Sequence, residues 1–396
     1  MGDDRLKRAA RVLAQAAIAA TLVSIAASQI LLGAALIACI AAYRAKLRVP
    51  PIWLPLSIFL AGTLVSLMLS ADPGAGLPQV RKLYVFLIVI VAATALRSAG
   101  DVARTFLLCG SAATLSALWS FVEFWQRWRA AHELGRQFYT YYIGDRTSGF
   151  MSHWMTFGGQ ISIVATLVTA VLLWKAPPRR WLWWTAVSVM LAALLISFTR
   201  GMWLAAGAGG IYLIGRWRPK LLLLVPLLAV IAWLIAPEPL RQRVRSIYRP
   251  HGEQDSNYHR IVTWRTGIAM IRAHPWFGLG PEMPGREFRR FIPVVGPPLP
   301  EGWYGHLHNV YLQYAAERGV PVLLVFLWMV GKALWDWLRA ARRSTAESAA
   351  VLHGCIAAVI AVLVAGIFEF NLGDSEVLML FLALLACGYV AKPERA

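Results

Sequence analysis

Residues 12–43 read VLAQAAIAATLVSIAASQILLGAALIACIAAY, thirty-two positions without a charge. As a single helix the run would extend about 48 Å at 1.5 Å per residue, far beyond the ~30 Å hydrocarbon core of a bilayer. It therefore reads as two membrane helices joined by a tight reversal near Ser28-Gln29. The basic residues Arg5, Lys7, Arg8 and Arg11 precede it, and Ala26-Ala27-Ser28 superficially resembles the end of a secretory signal. The apolar run continues to Tyr43, which predicts retained helices instead.

Working outward, further apolar runs lie near 52–70, 83–96, 105–125, 156–174, 181–198, 202–215, 221–236, 308–330, 350–369 and 375–391. With 12–27 and 29–43 they predict about twelve transmembrane helices. Composition agrees: 58% of residues are hydrophobic, the mean hydropathy is +0.57, and only 15% are charged, against about 25% in soluble domains. Eighteen Trp suit a chain whose amphipathic rings sit at lipid headgroups. The expected fold is an all-α polytopic membrane protein. Nine helices occupy residues 1–236, a large external loop with short helices occupies 237–307, and three helices occupy 308–396.

Lys and Arg bias sets the expected orientation. With both termini inside, more than half of the 39 basic residues fall in cytoplasmic segments, and each such segment holds at least two. The external turns between closely spaced helices hold few. The net charge of +19 is spread in short clusters between apolar runs, with no basic domain to grip a duplex, so nucleic acid is an unsuitable partner. Anionic lipid headgroups and anionic substrates suit it better. Cys39, Cys109, Cys355 and Cys387 all fall within apolar runs without CxxC spacing, as small core residues do.

Two long polar stretches, 126–155 and 237–307, are external by parity. In the second, Ile261, Trp264, Ile268 and Ile271 have helical spacing, and His274-Pro275 should end that helix. Four points then lie at external helix ends. They are Arg81-Lys82 before the fourth span, Arg146–Phe150 before the sixth, Thr199-Arg200-Gly201 between the seventh and eighth, and His308-Asn309 opening the tenth. Among external basic residues all but Lys82 are Arg, whose planar fork grips phosphate in two-point fashion. Arginines at helix ends also snorkel to headgroups without further role, but Arg200, pinned in a tight turn, has little freedom to do so. The external acidic residues Glu133, Asp145, Glu253, Asp255, Glu282 and Glu287 are scattered, with no metal-ligand spacing.

His308-Asn309, nine residues and Gly319 together resemble the signature of the O-antigen ligase and polymerase superfamily. Val322 stands where that pattern has a small or polar residue. Arg146–Phe150, Thr199–Leu204, Arg260–Trp264, His274-Pro275 and Gly278-Leu279-Gly280 are also similar to family segments. The resemblance implies a GT-C-like membrane glycosyltransferase in the bacterial inner membrane with a periplasmic site. Its donor would be an undecaprenyl-diphosphate-linked glycan and, for a ligase, its acceptor lipid A–core. It further implies His308 as base for the acceptor hydroxyl, with Arg200, Arg260 and Arg146, then Arg265 and Lys82, on the diphosphate. No cofactor and no metal are expected. Arg260 and Arg265, five apart, diverge by about 140° on a helix and should not share a task. O-antigen polymerases and protein O-oligosaccharyltransferases share the signature. A lipid-linked oligosaccharide flippase would need internal repeats and charges through the bilayer, and the sequence has neither.

Overall fold

A computed structural model describes residues 2–44, 46–247, 256–293, 299 and 304–392. Among the described residues there are nineteen α-helices and no strands. The first run folds as a hairpin of α1 (Gly2–Ala20) and α2 (Ile25–Tyr43), so its reversal lies at residues 21–24 and not at Ser28-Gln29. The reason is local. Thr21 Oγ1 donates to the Ile18 carbonyl at 2.7 Å, and Ser24, in extended conformation, caps α2 by accepting from the Ala27 amide. Ser28 instead is buried inside α2 and donates to the Ala17 carbonyl at 2.6 Å across the hairpin.

Next come α3 (Trp53–Met68), α4 (Pro73–Arg81) and α5 (Leu87–Ala95). A 3-10 stretch, Lys82–Phe86, joins α4 to α5 in one 23-residue apolar rod, Pro73–Ala95. Arg81 and Lys82 thus lie within a helical run, not in the turn that the sequence predicted. Asp72 begins it by accepting from the Ala75 amide, with Pro73 at the first position, where its missing N–H costs nothing. Then follow α6 (Ala99–Glu133), α7 (Phe138–Gly144), α8 (Trp154–Trp174), α9 (Arg180–Ile196) and α10 (Arg200–Trp217).

The helix α11 (Val225–Ile235) continues a 3-10 turn, and the chain then bends by 119° into α12 (Glu238–Arg245). Pro237 and Pro239 sit at that bend, where proline disfavours α geometry in the residue before it. α13 (Ser256–Ala273) ends just before His274-Pro275, and α14 (Met283–Arg286) and α15 (Phe288–Phe291) are single turns. The expected span 308–330 is broken at Gly319 into α16 (Val310–Arg318) and α17 (Val320–Ala341). α18 (Ala346–Phe368) and α19 (Ser375–Val390) complete the chain.

Among the described residues six helices are long and apolar enough to cross a membrane, or seven if the bent α11–α12 unit is one span; α3, α9 and α19 are shorter apolar helices. The chain is thus a multi-pass helical membrane protein. α8 and α18 are its axis, with 89% and 72% of their apolar windows buried, against 28% for α2. They pack on each other and on α10 through small residues, because lipid tails give helices no hydrophobic reason to associate and close backbone approach must supply contact. At Gly209 of α10 an added Cβ would lie 2.9 Å from the Ala357 carbonyl oxygen of α18. All four cysteines are buried and free.

Candidate active site

The ends of α8, α10 and α18 nearest His153, Arg200 and Phe368 meet α12 and the start of α13, and the charged residues gather there. Arg146, Arg200, Arg243, Arg260 and Glu369 line one small cavity with the first turn of α10. Each arginine is steadied by uncharged groups. Arg146 Nε donates to the Ile143 carbonyl at 3.1 Å, and its guanidinium lies 4.9 Å from the Trp154 ring. Arg200 donates to Ser246 Oγ at 3.0 Å and to Asn257 Oδ1 at 2.7 Å. Arg243 Nε donates to the Phe198 carbonyl at 2.9 Å and Arg260 Nε to the Phe368 carbonyl at 3.1 Å.

Arg146 is only 8% exposed, and its Nη1 finds no hydrogen-bond partner among the described residues. Burial, reinforced by Arg243, Arg260 and Arg200, pushes the Arg146 guanidinium well below its usual pKa. Among the described residues that line the cavity, four guanidinium groups share one carboxylate. They repel one another in a desolvated space, where Coulomb forces are strong. The positive end of the α10 dipole adds to that field. An anion entering the cavity would relieve both the repulsion and the unmet donor.

Glu369 joins this cavity to His308. It follows the last residue of α18, and its buried carboxylate lies 3.0 and 3.1 Å from His308 Nδ1, while its Oε1 accepts from the Phe370 amide at 3.0 Å. Burial would raise its pKa, but His308, His306 and Arg260 outweigh this and hold it well below the usual carboxylate range. His306 Nε2 is 3.5 Å from the same carboxylate, and burial pushes its imidazole down to about 4, so it is neutral near pH 7.

His308 owes its position to Asn309. Asn309 Oδ1 caps α16 by accepting from the Leu312 amide at 2.9 Å, and its amide group donates to the Ile367 carbonyl at 3.0 Å. That pins the start of α16 to the end of α18 and leaves His308 in a left-handed conformation, φ 49°. Such strain, of order 1–3 kcal/mol, persists only where surroundings enforce it. The other end of α16 is fixed by the Pro-Gly loop. The amides of Leu279 and Gly280 donate to the carbonyls of Ala316 and Glu317 at 2.8 and 2.9 Å, and Val320 N–H donates to the Pro275 carbonyl at 2.8 Å. A Cβ on Gly319, at φ 83°, would lie 2.1 Å from the Trp276 oxygen. The nine residues between Asn309 and Gly319 are therefore one short helix clamped at both ends.

Arg146, Arg200 and Arg260 meet in this cavity. Lys82 does not line it: its Nζ donates to the Gly373 carbonyl at 2.7 Å, beside the 3-10 turn Asn371–Gly373. Arg265 is exposed on α13, away from the Arg260 face. Arg243, Glu369 and His306 escaped the sequence reading. Glu369 ends an apolar run in the sequence and is hidden by it, although a charge at a membrane boundary is itself a signal. The expectation of no histidine–carboxylate cluster is corrected accordingly: His306, His308 and Glu369 bring one ligand-type atom each within 4.8 Å of one another. Val322, where the chain departs from the signature, packs against α3, with its Cγ2 occupying the place of a Cβ at Gly62.

The fold and site define a multi-pass helical membrane protein with an arginine-lined cavity beside a histidine–glutamate pair. The O-antigen ligase family matches residues 185–327, a stretch that holds Arg200, Arg243, Arg260, His308 and Gly319. The chain thus resembles the O-antigen ligase superfamily, which implies a glycosyltransferase-type enzyme acting on lipid-linked glycans in lipopolysaccharide synthesis. No curated protein matches the chain.

Proposed function

We propose that the chain is an O-antigen ligase of the bacterial inner membrane, with both termini cytoplasmic and its site at the periplasmic face. It would transfer a glycan from undecaprenyl diphosphate to a hydroxyl of lipid A–core. The observation that carries this reading is the buried arginine cavity, with an unmet Arg146 donor, sharing Glu369 with His308.

In this reading the diphosphate lies among Arg146, Arg200, Arg243 and Arg260. The acceptor oxygen attacks the anomeric carbon, and the bond from that carbon to the phosphate oxygen breaks. The electron pair leaves with undecaprenyl diphosphate, whose charge the guanidinium groups stabilise in place. Such electrostatic stabilisation usually contributes most to the rate of a step of this kind. The acceptor proton passes to His308 Nε2. Glu369, accepting from Nδ1–H, fixes the tautomer that leaves Nε2 basic and stabilises the imidazolium that forms, as a carboxylate does in a hydrolase triad. A single displacement inverts the anomeric centre. Phosphate neutralisation by arginines calls for no metal.

The test is reconstitution of the purified protein with an undecaprenyl-diphosphate-linked glycan and rough lipopolysaccharide. Ligation to the lipid A–core is the expected result. Chain extension of the lipid-linked glycan without ligation would assign the site to a polymerase instead.

A further inference from the structure

At the opposite end of the α18–α19 pair lies a second cavity, of about 350 Å³, lined by Arg48, Arg97, Lys392, Tyr389, Ser348 and Pro50 among others. We infer that this cavity binds the headgroup of an anionic phospholipid from the leaflet opposite the arginine site.

Its depth fits a lipid headgroup. Ser348 is in the first turn of α18 and Phe368 is its last residue, and Phe368 lines the arginine cavity. Twenty residues of helix at 1.5 Å each separate the two cavities by about 30 Å, the thickness of the hydrocarbon core. If one cavity is at one membrane interface, the other is at the second.

Its charge is only partly compensated. Among the described residues Arg48, Arg97 and Lys392 belong to no ion pair, Lys392 feels the Asp336 carboxylate only at longer range, and each nearby carboxylate has a closer partner. Asp101 pairs with Arg11 and Arg104 and takes the Arg97 backbone amide. Glu347 pairs with Lys175, and Asp336 with Lys332 and the Tyr389 hydroxyl. Arg97 is steadied from outside by the Tyr43 ring, 5.4 Å away.

Its shape suits a molecule with a polar head and apolar tails. The cations come from three separate connections, after α2, after α5 and after α19, and face one space with apolar walls at Val49, Pro51, Ala93 and Val390. At ~30 Å³ per water the space holds roughly a dozen waters, enough for a phosphodiester and its glycerol. Basic pockets between transmembrane helices at headgroup level suit anionic lipid phosphates, and apolar walls suit the start of the acyl chains.

The test uses the full-length protein, stripped of lipid in detergent. Binding of dihexanoyl-phosphatidylglycerol, dihexanoyl-phosphatidylcholine and glycerol 3-phosphate is measured by native mass spectrometry. Phosphatidylglycerol should bind at least tenfold more tightly than the other two. The triple variant Arg48→Gln/Arg97→Gln/Lys392→Gln should lose at least tenfold in that affinity, while Arg342→Gln/Arg343→Gln should not. Equal binding by wild type and triple variant, or by phosphatidylcholine, overturns the inference. Glycerol 3-phosphate binding as tightly as the lipid would overturn the lipid assignment in favour of a soluble phosphate. Should the triple variant not fold, a photoactivatable phosphatidylglycerol on the wild type decides. Cross-links at residues 48–51 and 389–392 support the site, and cross-links confined to other segments refute it.

Discussion

His308 Nδ1 lies within 3.0 and 3.1 Å of both oxygens of Glu369, a residue sixty-one positions further along the chain. One end of α18 thereby orients the residue that opens α16. If His308 is the base, His308→Ala should keep donor binding and lose roughly 10²–10⁴-fold in turnover. Glu369→Gln should also keep donor binding while turnover falls on the order of 10²-fold or more, since the imidazole loses its tautomer control. Donor affinity and turnover measured on the same folded variants decide. Near wild-type ligation by His308→Ala would refute the base assignment.

The four arginines of the cavity should fail differently. If the diphosphate lies among them, Arg146→Ala, Arg200→Ala, Arg243→Ala and Arg260→Ala each remove a charge-assisted contact to phosphate, so donor binding and turnover should fall together. Lys at the same positions should rescue only in part, keeping charge and losing the fork. Arg265→Ala, at an exposed position, should ligate within a few-fold of wild type. Full rescue by Lys at all four positions would mean that these side chains serve only as diffuse charge.

Much of this arrangement was legible in the sequence, in the parts where one local rule acts alone. The end of α13 at His274-Pro275 and the gathering of the arginines at 146, 200 and 260 follow from residue type and position, whereas the break at Gly319 falls inside what reads as one continuous span. Two kinds of feature were not legible. The 21–24 reversal depends on which hydroxyl caps which amide, and both Ser24 and Ser28 were available. Glu369 and Arg243 acquire meaning only through tertiary contact: Arg243 is six per cent exposed because α12 bends back by 119° onto Phe198. The Lys and Arg bias that gives the expected orientation is also blind to a carboxylate such as Glu369.

Gly319 should tolerate no side chain. Its Cβ would meet the Trp276 oxygen at 2.1 Å, and its φ of 83° is one that other residues adopt at a cost. Gly319→Ala should unlatch the loop from α16 and lower both melting temperature and turnover, by more than Gly331→Ala, where nothing lies within 4 Å. Equal thermal stability of the two variants in detergent would contradict the clamp.

Chelation bears on the His306–His308–Glu369 cluster. Glu369 already accepts from His308 and the Phe370 amide, and four nearby guanidinium groups oppose a dication by direct repulsion. Transfer should therefore persist in excess EDTA. Activity abolished by EDTA and restored by Zn²⁺, Mg²⁺ or Mn²⁺ would recast these three residues as ligands and remove the role given to His308.

Asp374, in the turn between α18 and α19, gives a pH test. Burial pushes its carboxyl up to about 6, against the opposing hydrogen bond from Thr156 and the pull of Lys82, with Glu376 and Glu369 adding to the rise. Its pKa in the folded protein is thus above the ordinary value of 3.8, so the folded state binds the proton more tightly than the unfolded chain does. The associated stability is fully present below pH 3.8 and is lost as pH rises through about 6. Asp374→Asn keeps the acceptor for Thr156 and cannot ionise. It should be more stable than wild type at pH 8, by roughly 1–3 kcal/mol, and the gap should narrow at pH 5 as the wild-type carboxyl takes up its proton. Subtracting the two melting curves at each pH cancels every other titrating group. A gap that stays constant from pH 5 to 8, or one that opens toward low pH, would show that the Asp374 carboxylate is ionised at no cost to the fold.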